Sequence, residues 1–222
     1  MPLDYLALLA HLQDRFERGI GSVAEDAAVP GCGDWTVRDL VEHLAWVHHW
    51  AAAMARDEDA VALPRHPADL VGRYAECAAE LRETLATLPP DAPARTLNGP
   101  GPASFWHRRQ VHETLVHLHD LLGSADDVSA EVWADAVDEV VAVMYPRQVR
   151  LDRIAPLADP LRLVATDTGR EWRLGDDEPT AQIAGTAQTL TLLLWGRLGV
   201  EASEVTGDED VVRRALATAI TP

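Results

Sequence analysis

Seven of the nine histidines in this 222-residue chain lie in two short segments. One segment holds His43, His48 and His49, and the other holds His107, His112, His117 and His119. In the second segment, Glu113 precedes His117 by four residues, so the two side chains share one face of a helix. A Glu and a His one turn apart can bind one metal ion, as inward-facing pairs do in helix bundles.

Two residues near Glu113 and His117, Asp120 and His112, indicate how this pair could bind a metal ion. Asp120 lies one turn beyond His117 and could accept a hydrogen bond from the second ring nitrogen, which would fix the imidazole. His112 and His117 are five residues apart, or about 140° around a helix. They cannot both be ligands of one ion, so the segment is not the zinc-protease H-E-x-x-H motif.

A third ligand must come from another helix, and the histidine segment near residue 45 is the candidate. Its periodicity places His43 at the border of the apolar arc and His48 nearer the centre, which slightly favours His48 as the buried ring. His49 points toward the polar side. Spacing alone leaves the common alternatives open, because a Glu/His pair is more often a solvated pair and an apolar-face histidine more often a core residue.

Arg109 and Cys32 each have a functional and a purely structural interpretation. Arg109, one turn before Glu113, is either an ion-pair partner of that carboxylate or a clamp for a substrate, and the ion pair is the commoner role. Cys32 could be a reactive thiol, although a loop cysteine is more often a bystander.

The elements that must position these residues are mostly helical over the first 150 residues. Apolar spacing predicts a first helix from Tyr5 that ends at Gly19 and Gly21, and Thr36 and Asp39 fit the capping box of a second. Three further helices are predicted at about Pro67–Thr87, Phe105–Leu122 and Ser129–Val149. Asp91–Ser104, which contains Asn98-Gly99-Pro100-Gly101-Pro102, is predicted to be a long loop. It is not a phosphate-binding loop, because no helix-opening G-x-G-x-x-G pattern is present.

Composition shifts after residue 150. Leu161–Ala165 and Glu171–Leu174 flank a turn and predict a β-hairpin. A third strand at Ala181–Ala184, a helix at Thr186–Leu198, a short strand at Glu204–Thr206 and a last helix from Asp210 to Ala219 complete the pattern. The fold class expected is therefore α+β, with a helical bundle over residues 1–150 and a small α/β domain over residues 151–222.

Charge and cysteine content exclude several functions. The net charge of −17 repels nucleic acid and anionic membranes, so neither is expected as a partner. All 19 basic residues are arginine, which excludes Schiff-base lysine chemistry. Cys32 and Cys77 have no metal-site spacing, and neither a signal peptide nor a membrane span is recognisable, so a cytoplasmic protein is expected.

Two segments resemble the mycothiol-dependent maleylpyruvate isomerase family. Residues 32–44 resemble its C-x-G-W-T-V-R-D-L-x-x-H-L stretch, and residues 108–120 resemble its R-R-x-x-H-E-x-x-V-H-x-x-D stretch. Residues 165–172 and 193–198 are similar to its C-terminal domain. Gly33 and Asp34 stand where Pro-Gly is common in the family, but this departure lies in a loop.

The resemblance implies a DinB-like four-helix bundle that binds a divalent ion, usually zinc, followed by a small α/β domain. Its motif positions imply His43, Glu113 and His117 as metal ligands, and they leave Asp120 and His48 as supporting residues around them. Arg197 matches an arginine that the family is thought to use near its active site, and together with Arg109 it is a candidate catalytic residue. The thiol cosubstrate implied is mycothiol.

These residues lead to a hypothesis about the reaction. Two histidines and a carboxylate leave zinc an open position, and a thiol that enters it would be deprotonated. The thiolate would add to a small, anionic, unsaturated electrophile, as in an isomerase or a thiol S-transferase. A non-catalytic metal- or ligand-binding protein and a zinc hydrolase that activates water are the alternatives, and the protein is expected to be a monomer or a small homo-oligomer.

Overall fold

The chain folds into two compact units, Met1–Ala125 and Asp126–Pro222. A computed structural model describes residues 3–125 and 127–222. The predicted α+β class is confirmed, because a helical N-terminal region is followed by a small C-terminal sheet domain.

Four helices form the body of the first unit. Its elements are α1 (Tyr5–Ile20), α2 (Val37–Ala55), α3 (Leu70–Thr87), β1 (Pro93–Thr96), β2 (Gly99–Pro102) and α4 (Ser104–Leu122). Helix α2 packs along α3 and α4, and α1 packs along the same two helices. Each helix therefore has two main neighbours, as in the predicted four-helix bundle.

Local sequence explains where the two site-bearing helices begin and end. The side chain of Thr36 accepts a hydrogen bond from the backbone of Asp39, and the Asp39 carboxylate accepts one from the backbone of Thr36, so α2 starts at a complete capping box. Helix α4 ends where Gly123 adopts a left-handed conformation with φ of 74°, and its N–H donates to the carbonyl of His119.

Large apolar side chains fill the space between the four helices. Trp106, Tyr74, Phe16 and Leu115 are almost completely buried. This burial fixes the rotation of the helices, because turning α4 about its axis would expose Trp106 and Leu115 to water, and turning α2 would expose the equally buried Leu44. The polar residues on the same helices are thereby aimed in fixed directions.

The stretch Asp91–Ser104 is not the long loop that the sequence predicts. It contains an antiparallel hairpin in which Arg95 pairs with Pro100 and Thr96 with Gly99. Prolines lack the N–H that a strand donates to its neighbour, so three prolines in eight strand residues hide the strand pattern.

The second unit is a four-stranded sheet with helices. Its elements are α5 (Ala130–Glu139), α6 (Tyr145–Arg150), β3 (Leu161–Ala165), β4 (Glu171–Leu174), β5 (Ala181–Gly185), α7 (Ala187–Leu194), β6 (Glu204–Thr206) and α8 (Glu209–Leu216). The strand order is β4-β3-β5-β6, where β3 and β5 are parallel and the outer pairings are antiparallel. The predicted hairpin, third strand and short last strand are all present.

Three helices of this unit differ from the prediction, and the last of them, α8, ends at Leu216 rather than Ala219. The long helix expected at Ser129–Val149 contains a π-type stretch, Val140–Met144, between α5 and α6. Pro146 follows it and cannot donate an N–H to the preceding turn, which favours the wider turn. Helix α7 ends at Leu194 rather than Leu198, and Gly196 then adopts a positive φ of 68°.

The division between the units lies one helix earlier than the expected boundary at residue 150. Helix α5 packs against α7, and the π-type stretch contacts β4, so both belong with the sheet. Sequence periodicity identifies α5 as a helix but carries no information about which partner its apolar face meets. Of the described helices, none is long and apolar enough to cross a membrane.

Thr36→Ala tests how α2 is started. Removing the hydroxyl deletes one half of the capping box, so we expect the free energy of unfolding to fall by about 1 kcal/mol in urea denaturation. Thr180→Ala, at an exposed threonine in the other unit, should change it by less than about 0.5 kcal/mol. Equal effects of the two substitutions would contradict the capping role.

Candidate functional site

Three predicted ligands from two helices meet at one point of the first unit. His43 lies on α2, and Glu113 and His117 lie on α4. The Nε2 atoms of both histidines lie 3.4 Å from the same carboxylate oxygen, Oε1 of Glu113. All three candidate ligand atoms lie within 4.8 Å of one another, so one cation could contact them all.

The second oxygen of Glu113 is held by Arg109. The Arg109 guanidinium donates to Oε2 of Glu113 from one turn earlier on α4, and the arginine is only 3% exposed. Burial alone would raise the pKa of Glu113, but the charge of Arg109 and hydrogen bonds from His117 and His43 hold it well below its ordinary value. The carboxyl group is therefore ionised and oriented.

His117 is fixed from its other side by Asp120. Its Nδ1 lies 2.9 Å from Oδ2 of Asp120, whose side chain is completely buried. Burial would lower the pKa of His117, but the hydrogen bonds with Asp120 and Glu113 raise it to about 9. With Nδ1 bound to Asp120, Nε2 is the atom directed at Glu113 and His43.

One loop supports the cluster, and sequence reasoning missed its role. The Trp35 ring lies 4.8 Å from the His43 ring and 6.4 Å from the His117 ring, measured between centroids. The Cys32 thiol donates to Oδ2 of Asp120 at 3.3 Å. Only the position of both residues in the first resemblance segment could have indicated this, since periodicity says nothing about loop residues.

A groove of about 430 Å³ opens beside His43. We call it the His43 groove; the lining residues that matter for its chemistry are Trp35, Glu42, His43, Trp46, Arg65 and Arg73. Two indole rings and several aliphatic side chains provide apolar walls, and charged groups of both signs also line the groove. The groove can therefore admit a small molecule with both apolar and polar parts.

The remaining histidines and Arg197 are not among the three clustered donors. His48 is the buried ring that periodicity favours, and its Nδ1 lies 2.9 Å from Oε1 of Gln110 rather than near Glu113. His112 is also completely buried and is not one of the clustered donors. Arg197 lies in the second unit just after α7, where its guanidinium donates to the carbonyl of Trp195 at 2.7 Å.

Comparisons with known proteins cover nearly the whole chain. The family model described as the mycothiol maleylpyruvate isomerase (MDMPI) N-terminal domain matches residues 7–122, and the model of the MDMPI C-terminal domain matches residues 131–214. No relative is found among curated proteins.

Solved structures share the fold. A mycothiol-dependent maleylpyruvate isomerase is 16% identical, with a TM-score of 0.72. A variant of such an enzyme with one histidine replaced by alanine is 14% identical, with a TM-score of 0.73. Each comparison covers 93% of both chains.

The burial of His48 predicts an unusual titration. Burial lowers its pKa to about 4, and the hydrogen bond with Gln110 only partly opposes this. The C2 proton of His48 in an NMR titration should therefore not shift between about pH 5 and 8. A midpoint near the ordinary value of 6.5 would contradict the buried, neutral ring.

The lowered pKa of His48 also makes the stability of the fold depend on pH. Below pH 6.5 the unfolded chain binds a proton at His48 that the native chain does not bind until about pH 4. The free energy of unfolding should thus fall by up to about 3 kcal/mol across that window as the pH drops. His48→Gln should lack this component in urea denaturation at a series of pH values.

Proposed function

We propose, on the premise that this chain belongs to the mycothiol maleylpyruvate isomerase family, that it is a metal-dependent enzyme that isomerises a small unsaturated carboxylic acid with mycothiol as thiol cosubstrate. The observation that carries the proposal is the convergence of His43, Glu113 and His117 on one point. The substrate class and the thiol come from the family and from the names of the structural relatives.

The donor set suits a divalent metal, and zinc is the ion we propose. Two imidazole nitrogens and one carboxylate oxygen are a ligand set of catalytic zinc sites, which keep an open coordination position. When bound there, zinc supplies an open position in which a thiol loses its proton at neutral pH.

The chain's own residues prepare the ligands before any ion arrives. Arg109 holds one oxygen of Glu113 and leaves the other facing the two histidines. Asp120 holds Nδ1 of His117, so the ring presents Nε2. We therefore propose that Arg109 acts through Glu113 as a positioning residue, rather than as a group that touches the substrate.

The His43 groove gives the substrates access to this point. The groove has a volume of about 430 Å³ and is lined by His43, so we propose that it admits the thiol and the acid beside this ligand. The indole of Trp35 forms a wall of the groove and packs beside His43, whose side chain is 33% exposed and can meet a molecule bound there.

The reaction follows from the chemistry of a thiolate and an activated double bond. The thiolate adds to the electrophilic carbon, and the double bond becomes a single bond about which the adduct can rotate. Elimination of the thiolate restores the double bond in the other geometry, so mycothiol is not consumed. We propose that Arg197 binds a carboxylate of the substrate, because a protein of net charge −17 otherwise repels an anion.

Substrate turnover tests the function. The metal-loaded protein should convert maleylpyruvate to its trans isomer, followed by NMR, only when mycothiol is present and without loss of thiol. Accumulation of a thioether would instead identify a thiol S-transferase. Turnover that proceeds equally without thiol would contradict the proposal and favour a hydrolase that activates water.

His117→Ala tests the ligand set. Removing this imidazole should lower the affinity for zinc by more than about 100-fold and abolish thiol-dependent turnover together. Elemental analysis after gel filtration measures the first effect. His11→Ala, at an exposed histidine of α1, should retain metal and activity. A His117→Ala protein that still holds a full complement of zinc would refute the assignment.

Arg197→Gln tests the carboxylate contact. Loss of the guanidinium should raise KM for the acid by about 10-fold or more, since charged hydrogen bonds contribute about 1.5–3 kcal/mol. The zinc content should stay at the wild-type level. Unchanged kinetics would remove Arg197 from the site.

A further inference from the structure

We propose that Cys32 is a positioning residue for His117, acting through a relay in which its thiol orients the Asp120 carboxylate and that carboxylate orients the imidazole. The inference rests on the proposed function, because the purpose of the relay is to present His117 to a metal ion. It assigns a role to the one half-buried cysteine of the chain.

The relay is defined by two contacts to a single atom. The Cys32 Sγ lies 3.3 Å from Oδ2 of Asp120, and Nδ1 of His117 lies 2.9 Å from the same Oδ2. The Asp120 side chain is completely buried. A buried carboxylate depends on its donors, because each one lost leaves charge that water cannot solvate. The thiol therefore helps to decide where Oδ2 lies.

The backbone of the loop that carries Cys32 is held in a closed turn, which fixes the point from which the thiol reaches Asp120. Gly31 and Gly33 flank the cysteine with φ values of 83° and 64°, conformations that residues with a side chain rarely adopt. The Val29 N–H donates to the carbonyl of Trp35 at 2.9 Å, and the Cys32 N–H donates to the carbonyl of Val29 at 3.2 Å. The turn is thus closed by its own backbone.

The same loop contacts the cluster a second time. Trp35 packs its ring against that of His43, while Cys32 reaches the Asp120 side of His117. One loop therefore supports the ligand from α2 and the ligand from α4. This arrangement explains why a cysteine outside the ligand set lies at the end of a hydrogen-bonded chain that begins at a ligand.

A competing interpretation makes Cys32 itself a ligand. Candidate donor atoms of Cys32, His117 and Asp120 also lie within 4.8 Å of one another. The contacts of Cys32 and His117 with Asp120 already have hydrogen-bond distances, however, and one carboxylate oxygen accepts both. The relay accounts for this geometry without a second ion, so it is the interpretation we favour.

Cobalt titration of the metal-stripped full-length protein tests the relay without any turnover. Cys32→Ala should weaken Co²⁺ binding by about 10-fold, within the range seen when groups that orient metal ligands are removed. Cys32→Ser should recover most of the affinity, because its hydroxyl can donate to Asp120. The d–d absorption of the bound ion reports its geometry in each variant.

Cys77→Ala is the matched control. Cys77 lies on α3, and burial raises its pKa to about 11, so it is a structural thiol. Its loss should leave Co²⁺ affinity within about 2-fold of wild type, since it belongs to neither cluster. A general effect of removing a cysteine would instead appear in both alanine variants.

A double-mutant cycle separates a relay from an unrelated structural effect. If Cys32 acts through Asp120, then Cys32→Ala should weaken Co²⁺ binding much less in an Asp120→Asn background than in the wild type. Equal losses in both backgrounds would overturn the relay.

Three other results of the cobalt titration would overturn the relay. Wild-type affinity in Cys32→Ala overturns the relay alone, and a wild-type protein that binds no Co²⁺ overturns the proposed function with it. Two ions per chain with a thiolate-to-cobalt charge-transfer band would make Cys32 a ligand and contradict its positioning role.

Discussion

The site depends on keeping one carboxylate charged inside a helix bundle. Glu113 is largely removed from water, and an uncompensated charge there would cost several kcal/mol. Arg109 binds one of its oxygens, and two imidazoles approach the other. The carboxylate thus joins α2 to α4 electrostatically, and the same arrangement collects three donor atoms at a point where a cation would be favourable.

The side chains around the Glu113 carboxylate orient one another through a series of contacts. Asp120 determines which nitrogen of His117 faces Glu113, and the thiol of Cys32 contacts the same Asp120 oxygen. Trp35 lies against His43 from the same loop. Because each contact restricts the next, the geometry of the cluster is encoded in side chains that belong to one loop and two helices.

Much of this was predictable from the sequence, for identifiable reasons. The four-residue spacing of Glu113 and His117 on a helix dictates a shared face, and helix caps and apolar periodicity located α2 and α4 well. Periodicity also identified His48 as buried, but it could not choose between His43 and His48 as a partner of Glu113. That choice depends on how α2 is rotated against α4, and only the family resemblance supplied it.

Other features depend on tertiary contacts that no local pattern reports. The contact of Cys32 with Asp120 forms because a loop meets α4, and the two residues are 88 positions apart in the sequence. Prolines obscure the strand pattern of the hairpin formed by Pro93–Thr96 and Gly99–Pro102. Helix α5 belongs to the second unit because it packs on α7. In each case the sequence contains the residue or the element, but no local pattern shows which part of the fold it contacts.

X-ray absorption spectroscopy of the zinc-loaded protein, with no thiol added, tests the central claim most directly. The account predicts nitrogen and oxygen neighbours only, with the outer-shell scattering of two imidazoles. A sulfur neighbour would place Cys32 on the ion, and a spectrum without imidazole scattering would show that the ion does not bind at His43 and His117. Either result would contradict a centre built around Glu113.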